Sequence, residues 1–182
     1  LEMIHQGFNV EAMHSDGTDR VSVIWLPAYH DMGLIGGILA AIYSEGHAVL
    51  MSPTSFLQRP FRWLKAISDW RATVSGAPNF AYELCLARIA DQELEGLDLS
   101  RWRIAFNGAE AVSPHTVERF SERFTPFGRH FQVGQAINRS KWGIWRFSEY
   151  LDLYSVAAEI LRRDPAAELL GPAVIDFEFH AT

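Results

Sequence analysis

The chain has 182 residues, 48 % of them apolar and 21 % charged, with a formal net charge of −6. This composition supplies a sizeable core and excludes wholesale disorder. The acidic balance argues against a general binder of nucleic-acid phosphates. The single cysteine, Cys85, excludes an intrachain disulfide framework and a multi-cysteine zinc site, and points to a reducing, cytoplasmic setting. The longest apolar run, Met32 to Tyr43, is too short to span a bilayer. No export leader is visible, and the opening Leu1 suggests a missing upstream part.

Taken in chain order, the segment from Leu1 to Met13 has a weak helical face, and Gly17 punctuates it. Val21 to Leu26 is β-branched and apolar and reads as a buried strand ending at Pro27. Ala28 to Gly33 is a loop by residue type. Leu34 to Tyr43 is a helix whose Gly36 and Gly37 allow a close neighbour, and Ala48 to Met51 is a second strand. Pro53 to Arg59 reads as a turn or loop. Pro60 suits the first position of a helix in which Trp63, Ile67 and Trp70 recur at helical spacing. Ala72 to Ser75 is a strand that stops at Gly76. Asn79 caps a helix to Ile89 with Phe80, Leu84 and Ala87 on one face, and Trp102 to Phe106 is the next strand. Ser113-Pro114, a cap and a first-turn proline, opens a helix with Val117, Phe120 and Phe124 inward. Beyond Gly128, Phe131 to Ile137 reads as a strand, Ser148 to Arg163 as a helix and Leu169 to Ile175 as a strand.

The alternation up to Phe127 predicts an α/β fold: a partial parallel sheet with flanking helices over residues 1–128. A strand–helix–strand unit over residues 129–182 follows, too small to fold alone. Ligands on parallel sheets sit at the carboxyl ends of the strands, here Pro27–Gly33, Ser75–Asn79 and Asn107–Glu110.

Each of those loops has two readings. His30 can donate to an anionic oxygen beside Gly33; taken alone, His30-Asp31 reads as a pair capping a helix. Gly76 and its small neighbours can floor a pocket with Phe80 and Tyr82 as walls; the plainer reading is a strand-to-helix turn capped by Asn79. Gly108 and Ala109 leave room for a flat base; the alternative is a tight turn with Glu110 solvated. Histidine spacing supports no metal site. Cys85 reads as a buried structural thiol.

Four stretches carry a resemblance. They are Trp25-Leu26-Pro27-x-x-His30-Asp31-Met32-Gly33-Leu34-Ile35-Gly36-Gly37, Met51-Ser52-Pro53-x-x-Phe56-Leu57-Gln58-Arg59-Pro60, Ala72 to Cys85 (Ala-Thr-Val-Ser-Gly-Ala-Pro-Asn-Phe-Ala-Tyr-Glu-Leu-Cys), and Asn107-Gly108-Ala109-Glu110. In this order and spacing the chain resembles, from about Leu1 to Gly128, the long-chain fatty acyl-AMP ligases of the adenylate-forming, AMP-binding superfamily. The resemblance implies fatty-acid activation with ATP and Mg²⁺ to an acyl-adenylate, followed by transfer to an acyl carrier protein. It implies that His30 lies beside the acyl-phosphate junction and that Met32 and Gly33 border the acyl tunnel. Gly76, Asn79 and Phe80 would shape that tunnel and the nucleotide edge, and Gly108, Ala109 and Glu110 would flank the adenine. Ala111 replaces the proline usual after that glutamate.

The family's Ser/Thr/Gly-rich loop with lysine would lie upstream of Leu1. Its Tyr-Gly-x-x-Glu segment, which helps hold magnesium, would follow Gly128, yet no tyrosine here precedes a glycine. Lys65 and Lys141, the only lysines, follow no glycine-rich loop. The expectation is therefore a ligase fragment, inactive alone. The alternatives are a non-catalytic acyl- or adenosine-binding module and a carbohydrate-binding piece. The last comes from a second resemblance: Phe131 to Thr182 is similar to part of a glycoside-hydrolase (β/α)₈ barrel. There Gln135-Ala136 stands where the class has its Asn-Glu pair, and Trp142, Trp145, Asp176 and Glu178 would be the sugar contacts.

Overall fold

The computed structural model describes residues 20–127 and the strand Gln132–Val133. Its centre is a parallel sheet of five strands: Val21–Ile24 (β1), His47–Leu50 (β2), Val74–Ala77 (β3), Ile104–Asn107 (β4) and Gln132–Val133 (β5), in the order β2-β1-β3-β4-β5. Val21 pairs with His47, Ser22 with Val74, Gly76 with Phe106 and Asn107 with Val133. The chain lays β2 on one side of β1 and then returns to lay β3 on the other. The strand order therefore reverses between β1 and β3, the place where open α/β sheets form a crevice.

Side chains alternate along each strand, so β1 splits its residues between the two faces. Val23 and Trp25 join a large core with Phe56, Trp63, Leu64, Ile67, Tyr82, Cys85, Trp102, Phe120 and Phe124. Trp63 is its hub, meeting Trp25, Phe56, Tyr82 and Trp102 edge-on at centroid distances of 6.2, 5.8, 5.4 and 5.6 Å. Such contacts are each worth on the order of 1 kcal/mol beyond area burial. The indole also satisfies its polar atom, donating to Ser75 Oγ at 2.8 Å, and that hydroxyl donates to the Val23 carbonyl at 2.6 Å. A buried serine thus joins β3 to β1 and to the helix that carries Trp63.

That face is covered by Pro53–Gln58 (α2), Phe61–Asp69 (α3), Asn79–Arg88 (α4) and Pro114–Phe124 (α5). The opposite face carries a smaller cluster of Met32, Ala40, Val74, Ile104 and Phe106. One helix, α1, supplies Met32 and Ala40 to it. It runs continuously through Asp31–Gly33, a π-helical stretch Leu34–Leu39 and Ala40–Tyr43. At the far end of this helix, Arg20 is buried and donates from Nη1 to the Ala40 carbonyl and to Ser44 Oγ. Burial lowers its pKa to about 10.

The α/β expectation is borne out, with local corrections. Pro53 to Arg59, read as a loop, contains α2: Ser52 Oγ accepts from the Ser55 amide at 3.1 Å and Pro53 takes the first turn. Pro60 is the cap of α3 rather than its first residue. Trp63 and Ile67 are buried, whereas Trp70 lies past the helix end and is exposed. The buried face of α4 is Ala81, Tyr82 and Cys85, not Phe80, Leu84 and Ala87. Cys85 is a buried thiol, as expected, and burial pushes its pKa upward. Among the described residues no helix is long and apolar enough to cross a membrane. The readings before Arg20, and those of a helix to Arg163 and a strand from Leu169, lie outside the described residues.

Candidate functional site

The loop after β1 turns sharply. The His30 amide donates to the Pro27 carbonyl at 3.1 Å, and the His30 carbonyl accepts from Gly33 and Leu34. His30 is the N-cap of α1, its Nδ1 accepting from the Met32 amide at 3.1 Å, with Asp31 in the first turn. The capping reading of the His-Asp pair is therefore borne out. It also leaves a chemical opportunity, because a neutral imidazole that accepts at Nδ1 carries its proton on Nε2, and His30 is exposed. Gly33 serves close packing: a Cβ there would stand 2.3 Å from the Pro27 carbonyl oxygen.

Met32 turns the other way, into a narrow apolar recess between the sheet and α1 at the reversal point. The recess is bounded by β1, β3, Met32, Gly36, Gly37 and Phe106 and has room for little more than one water molecule. Gly76 of β3 forms part of the same wall. It lies against β4 so closely that a Cβ would meet the Phe106 carbonyl oxygen at 2.3 Å. Two predicted site residues from different loops, Met32 and Gly76, thus share one hollow.

A second group assembles around the ends of β3 and β4. Asn79 was expected to cap α4; instead its Oδ1 accepts from Asn107 Nδ2 at 3.2 Å and from the Ser113 amide at 3.1 Å. Its Nδ2 donates to Thr116 Oγ1 at 3.3 Å. Asn79 therefore ties the end of β4 to the start of α5. Glu110 is not simply solvated, since its Oε1 accepts the Phe80 amide at 2.6 Å. Phe80 is 44 % exposed and presents its ring edge-on to Trp25, with centroids 6.2 Å apart. The Gly108 amide donates to the Ala77 carbonyl at 3.4 Å, and Ala109 sits at φ +67°, a left-handed conformation unusual for alanine.

The adenine end of a nucleotide has matching features here. Asn107 Oδ1 is buried at the end of β4 without a donor among the described residues, so it is an acceptor to which an amino group is complementary. Magnesium has no such match: among the described residues no group of three or more His, Cys, Asp or Glu is placed to hold a metal ion.

Sequence reading missed Ser22. It is 2 % exposed, it lines the recess, and among the described residues its hydroxyl has no hydrogen-bond partner. The available signal was one small polar residue inside the otherwise apolar strand Val21–Ile24.

A parallel sheet with three loops gathered at the carboxyl ends of β1, β3 and β4 places the protein among α/β ligand-binding folds. Residues 2–134 match the model of the AMP-binding enzymes, and the chain belongs to that family. It is 48 % identical over 137 residues to a 4-hydroxyphenylalkanoate adenylyltransferase of Mycobacterium tuberculosis, a match covering 75 % of this chain and 22 % of that protein. It is 48 % identical over 104 residues to a medium-chain-fatty-acid–[acyl-carrier-protein] ligase of Teredinibacter turnerae, covering 57 % and 16 % respectively. Among solved structures it is similar to the fatty acyl-adenylate ligase from L. pneumophila in complex with acyl adenylate and pyrophosphate. There the TM-score is 0.64 and the identity 46 %, over 73 % of this chain and 23 % of that one. The chain spans less than a quarter of the length of these relatives. The glycoside-hydrolase reading falls on residues 131–182, of which the structure describes only the backbone strand Gln132–Val133.

Proposed function

We propose that this chain forms one wall of the acyl and adenylate site of a fatty-acid-activating ligase. The parent reaction joins a fatty acid to ATP, releases pyrophosphate and delivers the acyl group to an acyl carrier protein. What supports the reading is the family match over residues 2–134, together with the three loops at the carboxyl ends of β1, β3 and β4 that carry the expected site residues.

In this reading Met32 and Gly76 contact the chain, while Gly33 holds the loop that positions Met32. His30 Nε2 donates toward the acyl-phosphate oxygens, and its N-cap bond fixes the ring's orientation. Asn79 and Phe80 shape the border between acyl and nucleotide regions. Gly108, Ala109 and Glu110 flank the adenine, with the Asn107 carboxamide oxygen as acceptor. ATP and Mg²⁺ belong to the parent reaction. Adenylyl transfer requires charge stabilisation on phosphate oxygens, and of the two lysines Lys65 is engaged by Asp69 at 2.8 Å on α3. In this reading the 182-residue chain alone binds without turnover.

The test is calorimetric titration of the chain with palmitate and with a non-hydrolysable acyl-sulfamoyl adenosine, alongside a pyrophosphate-release assay with palmitate, ATP and magnesium. Saturable binding of both ligands with no pyrophosphate release is expected. A flat titration overturns the site, and turnover of roughly 1 per second or faster overturns the claim of inactivity.

A further inference from the structure

We infer that the exposed end of α2 docks an acidic helix of the acyl carrier protein; this rests on the acyl-transfer reading above. The centre of the surface is Leu57, 46 % exposed although its neighbour Phe56 is fully buried. Phe56 stacks on Trp25 with ring centroids 4.0 Å apart, and Trp25 meets Phe80 edge-on. The surface is therefore two ring contacts from a residue at the carboxyl edge of the sheet, where the proposed reaction hands over its acyl group.

Three exposed arginines gather around this end of α2. Arg88, the last residue of α4, donates from Nη1 to the Leu57 carbonyl at 3.3 Å. Arg62 donates from Nη1 to the Ser55 carbonyl and to Gln58 Oε1, each at 3.3 Å. Arg59 follows α2 directly, and its guanidinium lies 5.8 Å from the centre of the Phe61 ring. These contacts hold the charges beside the leucine, so less freedom is lost when a partner arrives.

The chain as a whole is acidic, with a net charge of −6, and other surface cations show the contrast. Lys65 pairs with Asp69, Arg119 with Glu83 and Arg123 with Asp91. At the end of α2, Glu93 pairs with Arg59, while among the described residues Arg62 and Arg88 pair with no carboxylate. The alternative is that Arg62 and Arg88 serve α2 alone, completing its last carbonyls and opposing its dipole. That role needs no exposed leucine beside them. An apolar centre with an arginine rim is the make-up of a protein interface, and its positive sign favours an acidic partner. The occupant is an amphipathic helix with acidic residues around an apolar one, and the protein partner of the proposed reaction is the carrier.

The experiment is calorimetric titration of the full chain with an acyl carrier protein of bacterial fatty-acid synthesis, at low and at physiological salt, beside titration with the acyl-sulfamoyl adenosine. Saturable carrier binding that weakens with salt is expected. The double variant Arg62→Gln/Arg88→Gln, and separately Leu57→Ala, should each weaken it about tenfold and leave binding of the adenosine compound unchanged. Lys65→Gln should alter neither. If the double variant unfolds at lower urea yet holds the carrier as tightly, the arginines serve α2 alone and the inference is overturned. Unchanged carrier binding in Leu57→Ala overturns it as well. A chain that binds the adenosine compound but not the carrier overturns the docking surface and leaves the acyl site standing. A chain that binds neither overturns the acyl-site reading itself.

Discussion

Glu110, in the loop after β4, holds the start of α4: its Oε1 accepts the backbone N–H of Phe80 at 2.6 Å. The helix needs this contact because Pro78, the residue at its cap position, offers no side-chain acceptor. A carboxylate at a helix N-terminus satisfies an orphan donor and complements the helix dipole. The bond also clamps the loop after β4 onto the helix that follows β3, so two of the three loops at the sheet's carboxyl edge move as one.

Removing that acceptor should therefore cost stability. Glu110→Ala is expected to destabilise the chain by about 1 kcal/mol in urea unfolding, and Glu110→Gln, which keeps an acceptor without charge, by less. Equal stability of all three proteins would mean that α4 is capped by other means.

Gly76 is constrained from the adjacent strand. Its missing Cβ would stand 2.3 Å from a backbone oxygen of Phe106 and 2.4 Å from that ring, so Gly76→Ala must push β3 and β4 apart. A loss of roughly 1–3 kcal/mol is expected from such overpacking, together with weaker palmitate binding as the site distorts. An unchanged melting temperature would contradict the described strand spacing.

Ala109 offers a gain. At φ +67° a Cβ is unfavourable and glycine is not. Ala109→Gly should stabilise the chain by up to about 1 kcal/mol, the relief outweighing the added freedom of the unfolded chain. A destabilised variant in thermal melts would show that the left-handed turn is not populated.

Acid should weaken the fold through two carboxylates on the surface. Bonds from the Arg59 guanidinium and the Ala90 amide hold Glu93 below its ordinary value of 4.5, and bonds from Ser100 hold Asp98 below 3.8. Because both folded values are depressed, the stabilisation is complete above the ordinary values and is lost as pH falls through the depressed ones. The urea midpoint should drop across that window, with a smaller drop in Arg59→Met and in high salt, since these pairs are solvent-screened. An identical acid slope in Arg59→Met would remove Glu93 from the explanation.

Much of the sheet was legible because its strands are short apolar runs closed by Pro27, by Pro78 and by Gly108, although β3 runs through Gly76 to Ala77, past the stop expected at Gly76. Ser113-Pro114 was recognised as a helix start, yet Ser52-Pro53 carries the same signal and was read as a loop, although Ser52 caps α2 in the same way. The six-residue helix there was too short for an apolar period to show. The buried face of α4 was misplaced because Tyr82 looks polar in sequence; its hydroxyl donates to the Phe106 carbonyl at 2.7 Å and lets the ring enter the core. The roles of Asn79 and Glu110 depend on contacts between residues far apart in the chain, which periodicity does not carry.

Photolabelling of the full chain with a diazirine-bearing palmitate, followed by peptide mapping, locates the acyl chain most directly. Saturable label on the segments carrying Met32 to Gly37 and Gly76, competed away by palmitate, is the predicted result. Label confined to exposed apolar residues such as Ile42, Leu50 and Trp70, with no competition, would contradict the acyl-site reading.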